Sequence, residues 1–235
     1  MTRIEHIGEQ TLILGDCREV MPTLGRFDAC VTDPPYGIDY GNAGGFSASN
    51  GWTSIHKGIT WDIKRPNKKI FIQFIGQTKQ QIIWGGNYFT DYLPPSMQWL
   101  VWDKAQRGFS LADFEMAWTS NNKASRIFTY GRGNEKGFAP KSKENKEFLS
   151  CHPTQKPLEV MRWCLGFVPD AETILDPFMG SGTTLVACQQ LGRKGTGIEI
   201  SEKYFDIACK RVEQAAAQPR LFVEPKQECK QEAML

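Results

Sequence analysis

Residues 173–200 of this 235-residue chain constrain the fold more than any other stretch. A strand-length apolar run, Thr173 to Leu175, ends in Asp176. Gly180 and Gly182 then form a turn, a helical segment runs to Leu191, and a second strand covers Gly195 to Ile200. Strands alternating with helices in this way imply an α/β fold with a largely parallel sheet. The two glycines permit positive φ and let a ligand approach the backbone closely. Free N–H groups at the start of the following helix favour a carboxylate or phosphate. Glu199 stands at the tip of the second strand, where dinucleotide-type folds hold a ribose by its hydroxyls.

The rest of the chain reads in the same alternating way. Thr11 to Leu14 is a short strand, Asp16 an N-cap, and Cys17 to Leu24 a short helix. The strand Phe27 to Thr32 runs into Asp33-Pro34-Pro35-Tyr36, and two adjacent prolines force the chain out of the sheet there. Residues 37–65 carry six glycines and no periodicity, as a functional lid or a disordered loop does. A helix is expected over Asn67 to Lys79, with strands at Gln81 to Trp84, Gln98 to Asp103, Phe114 to Thr119 and Arg126 to Tyr130. Residues 131–150 are polar, basic and irregular. A helix returns from Pro157 through Val168, and another starts at Ser201 with Phe205, Ala208 and Val212 on one face.

Composition excludes several classes. A chain 40% hydrophobic and 23% charged is an ordinary globular one, and a net charge of +2 rules out a coat-like basic binder of nucleic acid. Seven scattered cysteines without a C-x-x-C pair indicate neither a disulfide framework nor a zinc site, so no metal is expected. No apolar run is long enough for a membrane span, and Met1 to His6 lacks the apolar stretch of a signal peptide. The expected location is the cytoplasm.

Asp33-Pro34-Pro35-Tyr36 suggests its own chemistry. The prolines fix the backbone so that the Asp33 carboxylate, the Pro34 carbonyl and the Tyr36 ring can face one pocket. Two acceptors and an aromatic face suit a planar amine.

Taken together, the chain resembles the amino-group (N6-adenine or N4-cytosine) DNA methyltransferases that use S-adenosylmethionine. Asp33-Pro34-Pro35-Tyr36 matches their catalytic motif and Asp176-Pro177-Phe178-Met179-Gly180-Ser181-Gly182-Thr183 their cofactor motif. His152-Pro153-Thr154-Gln155-Lys156-Pro157 matches a third motif, and Leu14-Gly15-Asp16-Cys17 the segment that meets the cofactor's adenine. The catalytic motif precedes the cofactor motif, as in the β group of these enzymes. The resemblance implies a Rossmann-like class I methyltransferase fold, with helices on both faces of a twisted sheet.

It also implies roles. Asp176, Phe178 and the backbone of Gly180, Ser181 and Gly182 would lie beside the cofactor, with Thr154 and Thr183 on its methionine carboxylate and Lys156 adding charge there. Glu199 would take the ribose hydroxyls. Asp16 would accept from the adenine amine, with the Cys17 N–H nearby. Asp33, Pro34, Pro35 and Tyr36 would hold a base flipped out of double-stranded DNA, the amine attacking the methyl group in line. An intact Asp33 favours adenine N6; members acting on cytosine N4 more often have Ser there. An inactive DNA-binding regulator is the alternative from another class, and intact Asp33 and Tyr36 speak against it. Methylation at cytosine C5 is excluded, because none of the 13 prolines is followed by cysteine.

The implied organisation is a catalytic half (1–102), a target-recognition insert (103–150), a cofactor half of the same core (151–218) and a frayed tail (219–235). The insert has nine Lys/Arg against six acids. Lys104, Arg107, Arg126, Arg132, Lys141 and Lys143 are its candidate DNA contacts. Its shortness is compatible with a homodimer.

Overall fold

The computed structural model describes residues 3–38, 62–107, 112–131 and 155–218. These residues form one nine-stranded sheet in the order β1-β2-β9-β8-β3-β4-β6-β5-β7. The strands are β1 (Arg3–Ile7), β2 (Gln10–Leu14), β3 (Phe27–Thr32), β4 (Thr78–Trp84), β5 (Trp99–Asp103), β6 (Phe114–Thr119), β7 (Arg126–Thr129), β8 (Thr173–Asp176) and β9 (Lys194–Glu199). The helices are α1 (Cys17–Val20), α2 (Lys68–Gln77), α3 (Leu158–Leu165), α4 (Thr183–Gln190) and α5 (Glu202–Ala217). The five central strands β2, β9, β8, β3 and β4 are mutually parallel, and β6 is antiparallel to both of its neighbours.

The period of two along each strand sorts side chains between two cores. Ala29, Val31, Ile82, Trp84 and Ile174 pack with Val160, Met161, Cys164 and Leu165 of α3 and Ala187 and Cys188 of α4. Cys30, Ile83 and Leu175 point the other way, onto Ile70, Phe71 and Phe74 of α2. A third cluster joins Leu12 and Leu185 to Phe205, Ala208 and Val212, the face of α5 expected from its periodicity. Helices therefore cover both faces. Each fully buried Phe or Leu stabilises the fold by roughly 1.5–3 kcal/mol relative to exposure.

The crossovers position the site. From β3 the chain passes through α2 to β4 on one side; from β8 it passes through α4 to β9 on the other. Where neighbouring strands diverge in this way, their carboxyl ends leave a crevice, the usual ligand position in an open α/β sheet. At the opposite end of the same strands Asp28 acts as a clip. Its carboxylate takes Lys79 at 2.8 Å, the Thr173 N–H at 3.0 Å and the Thr173 hydroxyl at 2.8 Å. Lys79 first, then Thr173, hold its pKa well below the usual range.

Several expectations are corrected. β1 was not anticipated, because its side chains are mostly exposed and lack a buried stripe. It forms as the arm of a two-residue hairpin, Gly8-Glu9, in which Gly8 has φ 59°. The short helix ends at Val20, and Pro22 carries the chain into a 3-10 turn over Met21–Thr23. Lys79, expected in a helix, lies in β4. The largest correction concerns the insert. Its described part is not separate from the core, because β6 and β7 belong to the central sheet and β6 pairs directly with β4. Residues 132–150, including Arg132, Lys141 and Lys143, lie outside the described residues, as do Thr154 and the 219–235 tail.

Candidate active site

β3 ends at Thr32, and the next four residues stand at the mouth of the crevice. Thr32 donates its hydroxyl to Asp176 Oδ1 at 2.7 Å, so the two motifs, 144 positions apart at this bond, are physically tied. Asp176 is 2% exposed. Burial pushes its pKa up to about 6 against the opposing hydrogen bonds from Thr184, Thr32 and the Phe178 N–H.

The turn after β8 is shaped by backbone. Gly180 has φ 53° and Gly182 φ 81°. A Cβ on Gly182 would come within 2.9 Å of the Ala208 Cβ of α5, whereas one on Gly180 would enter open space. Glu199 holds the turn from the next strand, its two oxygens accepting from the Gly180 N–H at 2.9 Å and the Ser201 N–H at 2.7 Å. Burial raises the Glu199 pKa, with those bonds opposing. A carboxylate has about four lone-pair sites, so capacity for ligand hydroxyls remains. Arg211 of α5, missed by sequence reasoning, donates to the Ser181 carbonyl at 2.6 Å and to the Thr183 hydroxyl at 3.1 Å. No side chain caps α4, and the buried Thr183 opens it.

Asp16 follows β2 at the same edge. It caps α1 through the Arg18 N–H at 2.9 Å and also pairs with the Arg18 guanidinium. That guanidinium lowers the Asp16 pKa. Burial, helped by the Asp16 charge, pushes the Cys17 thiol up to about 11, so it is not a nucleophile at neutral pH. Three acids, an open glycine backbone and an uncapped helix start surround one end of the crevice. That set fits a ligand with a positive centre, vicinal hydroxyls and a carboxylate.

The other end is built from charges and rings. The Tyr36 hydroxyl donates to Asp33 Oδ1 at 2.5 Å, and Lys156 Nζ donates to Asp33 Oδ2 at 2.6 Å. Lys156 also pairs with Glu115 at 2.9 Å, and Glu115 with Lys104 at 2.7 Å. Both lysine side chains are 4% exposed. Burial disfavours the Lys156 ammonium, but Asp33 and Glu115 overcome it and raise its pKa. Burial raises the Asp33 pKa, with Lys156 opposing. For Glu115 burial acts upward too, yet Lys156 and Lys104 bring its pKa down to about 2.

These positions change two assignments. Lys156 was expected at the cofactor carboxylate; the structure turns it to Asp33, because two half-buried carboxylates attract it there. Lys104 was expected to contact DNA, at a phosphate or a base edge. Buried over the Trp102 ring at 5.4 Å and bound to Glu115, it is not available to either. Arg107 is exposed and paired with Asp103 at 2.8 Å. Arg126 is exposed on β7, four strand spacings or about 19 Å from β3.

Tyr36 is clamped by residues the motifs do not include. Its ring stacks on Tyr88 at 4.8 Å and 15°. A Cβ on Gly85, which has φ 64°, would fall 2.0 Å from Tyr36 Cε1, so only glycine fits beside the ring. The sequence signal was the Gly85-Gly86 pair directly after a strand. Pro34 is buried and Pro35 half-buried. Of the loop from 37 to 65, residues 39–61 lie outside the described residues. Its ends meet, the Gly37 N–H bonding Asp62 Oδ1 at 2.9 Å, while Arg65 pairs with Asp91 at 2.8 Å.

Among the described residues no group of three or more His, Cys, Asp or Glu is placed to hold a metal, and no helix is long and apolar enough to cross a membrane.

Comparison with known proteins agrees with this geometry. Residues 81–210, more than half of the chain, match a family described as DNA methylase. The Type II methyltransferase M2.LlaDCHI of Lactococcus lactis subsp. cremoris is 42% identical over 76 residues, 32% of this chain but only 28% of that protein. M.HpaI of Haemophilus parainfluenzae is 26% identical over 242 residues, covering 87% of this chain and 74% of that one. Among solved structures, M1.HpyAVI superposes with a TM-score of 0.54 at 19% identity, covering 86% of this chain and 98% of its own. PvuII DNA methyltransferase (cytosine-N4-specific) does so at 0.52 and 12% identity, covering 91% and 95%. At these identities the structural likeness shows the class I methyltransferase fold.

Proposed function

The chain belongs to the N6/N4 DNA methylase family, and from that premise we propose that it methylates the exocyclic N6 amine of adenine in double-stranded DNA, with S-adenosylmethionine as donor. The observation that carries the reading is the Thr32–Asp176 bond at 2.7 Å, which sets Asp33-Pro34-Pro35-Tyr36 and the glycine turn on either side of one crevice.

When bound, S-adenosylmethionine supplies a methyl group made electrophilic by a sulfonium. The residues that would hold it are Asp16 for the adenine, Glu199 for the ribose, and Asp176, Phe178, the 180–182 backbone and Thr183 for the methionine part. Thr154 is a further candidate. The acids suit its positive centre, and the start of α4 suits its carboxylate.

The target amine is a poor nucleophile because its lone pair is delocalised into the ring. Asp33 and the Pro34 carbonyl would accept its two N–H bonds and draw the nitrogen toward tetrahedral geometry, freeing the lone pair. Burial makes Asp33 a stronger base than free aspartate, which suits it to take up the proton the nitrogen sheds. The base would have to leave the duplex, and Tyr36 with Tyr88 forms an aromatic platform at the mouth.

Expression in a methylation-free bacterial host, followed by sequencing of the genomic DNA for modified bases, tests the reading. N6-methyladenine at a defined site supports it. N4-methylcytosine would overturn the adenine assignment, and unmodified DNA the enzymatic one.

A further inference from the structure

The register of β6 places one acid beyond the end of β4. Trp84, the last residue of β4, pairs with Ala117, and β6 starts at Phe114. Glu115, still paired with Trp102 of β5, therefore extends past the end of β4 at the crevice mouth. It lies on the same side as Ala117, toward the core that α3 covers. From there it meets Lys156, just before α3, and Lys104, just after β5. Two tryptophans floor this chain of charges, Lys156 lying 5.4 Å from the Trp84 ring and Lys104 5.4 Å from that of Trp102. The result is an alternating row, Lys104, Glu115, Lys156, Asp33, with buried lysines and half-buried acids.

An ammonium at the end of a long side chain has many rotamers, and a single carboxylate would not select one of them. Glu115 gives Lys156 a second anchor 2.9 Å away, fixing the direction from which it donates to Asp33 Oδ2. Asp33 Oδ1 is taken by Tyr36. With both oxygens tethered, the carboxylate plane is set and its remaining lone pairs keep one direction. The preceding residue adds a second constraint, since Gln155 Oε1 accepts from the Ser181 hydroxyl at 3.0 Å. Residues 155 and 156 thus join the glycine turn to Asp33.

We infer that Glu115 is a positioning residue for methyl transfer, acting through Lys156 to orient the Asp33 carboxylate toward the target amine. This rests on the reading of Asp33 as acceptor of that amine. The groups facing Lys156 are Asp33 and Tyr36 after β3, Glu115 of β6, the Trp84 ring of β4 and the Cys164 thiol of α3, with Lys104 beyond Glu115. Of these Asp33 and Glu115 keep the ammonium charged to high pH, so loss of Glu115 lowers the pH at which Lys156 releases its proton and its hold on Asp33.

The test uses the full-length protein, a DNA carrying its methylation site, and two variants, Glu115→Gln and the charge-balanced Lys104→Met/Glu115→Gln. Circular dichroism checks folding and calorimetry with S-adenosylmethionine checks cofactor binding. Both variants should bind the cofactor within about twofold of wild type, yet lose about tenfold to a hundredfold in single-turnover methyl transfer. The alkaline limb of their rate profiles should move to lower pH by about one unit. If Glu115→Gln does not fold, the balanced variant carries the test. A wild-type rate with an unmoved alkaline limb in Glu115→Gln would overturn the inference. So would full recovery of rate in the double variant, since Glu115 would then only neutralise Lys104. A wild-type protein that methylates no DNA would instead overturn the function on which the inference rests.

Discussion

The two sides of the crevice are held by different physics. On the cofactor side, Asp176 and Glu199 accept mainly from backbone N–H groups and hydroxyls, and burial pushes both pKa values up. On the catalytic side, Glu115 and Asp33 are bound to ammonium groups, and Glu115 is pulled down to about 2. Neutral donors satisfy a buried carboxylate without cancelling its charge; buried cations cancel the charge but must themselves be placed and paired. On the first side, Asp176 and Glu199 therefore need no buried cation beside them. The second needs contributions from four distant parts of the chain.

The largest effect expected from breaking this division is at Asp33. Asp33→Ala should reduce methyl transfer by about 10²- to 10³-fold or more, because a directed acceptor at the reacting group is removed. Cofactor affinity in calorimetry should stay within a few-fold, since Asp33 belongs to the other side. Loss of cofactor binding with an intact fold would show that the two sides are not separable.

Next come opposite pH dependences of stability. Folded Asp176 binds its proton more tightly than the unfolded chain does, so stability falls as pH rises from about 4 to about 6. The shift corresponds to at most roughly 3 kcal/mol. Asp176→Asn cannot ionise, so relative to wild type it should gain stability between pH 4 and pH 7. Glu115 is the reverse. Its contribution is present above pH 4.5 and is lost as pH falls toward about 2. Relative to wild type, Glu115→Gln should therefore be most destabilised near neutral pH, by about 3–5 kcal/mol, and the gap should close in acid. Urea unfolding at several pH values measures both, and parallel pH profiles would contradict the contrast.

Gly85→Ala sharpens the contrast sterically. Its Cβ would press on Tyr36 at 2.0 Å and the backbone would be left at φ 64°. A cost of about 1–3 kcal/mol in stability is expected, with methyl transfer reduced and cofactor affinity unchanged. An unaltered turnover would mean that the ring can move without consequence. The smallest effect belongs to Arg107→Ala. If Arg107 leaves Asp103 for a phosphate, the variant should bind all DNA slightly more weakly, and the salt dependence should fall by about one unit. An unchanged slope would remove Arg107 from the interface.

The sequence by itself determined the parts whose causes are local. The strand-turn-helix at 173–190 was legible because glycine is the residue that takes positive φ at 180 and 182 without strain. The exit from the sheet at Pro34 was legible because proline cannot extend a central strand. Apolar runs and period gave the strand β3 and the helix face of α5, while the helices on both sides of the sheet were implied by the family resemblance. Tertiary structure alone decided what each charge does. Nothing around Lys104, Glu115 or Lys156 marks them as neighbours, for 11 and 41 residues separate them in turn. Their meeting depends on β6 running antiparallel between β4 and β5 and overhanging β4 by its first residues, a register set by pairing across the whole sheet. That same pairing turned the start of the expected insert into core. A side chain's type fixes the charge it can carry, but whether that charge faces water, a phosphate or another buried ion is decided by strand order and register.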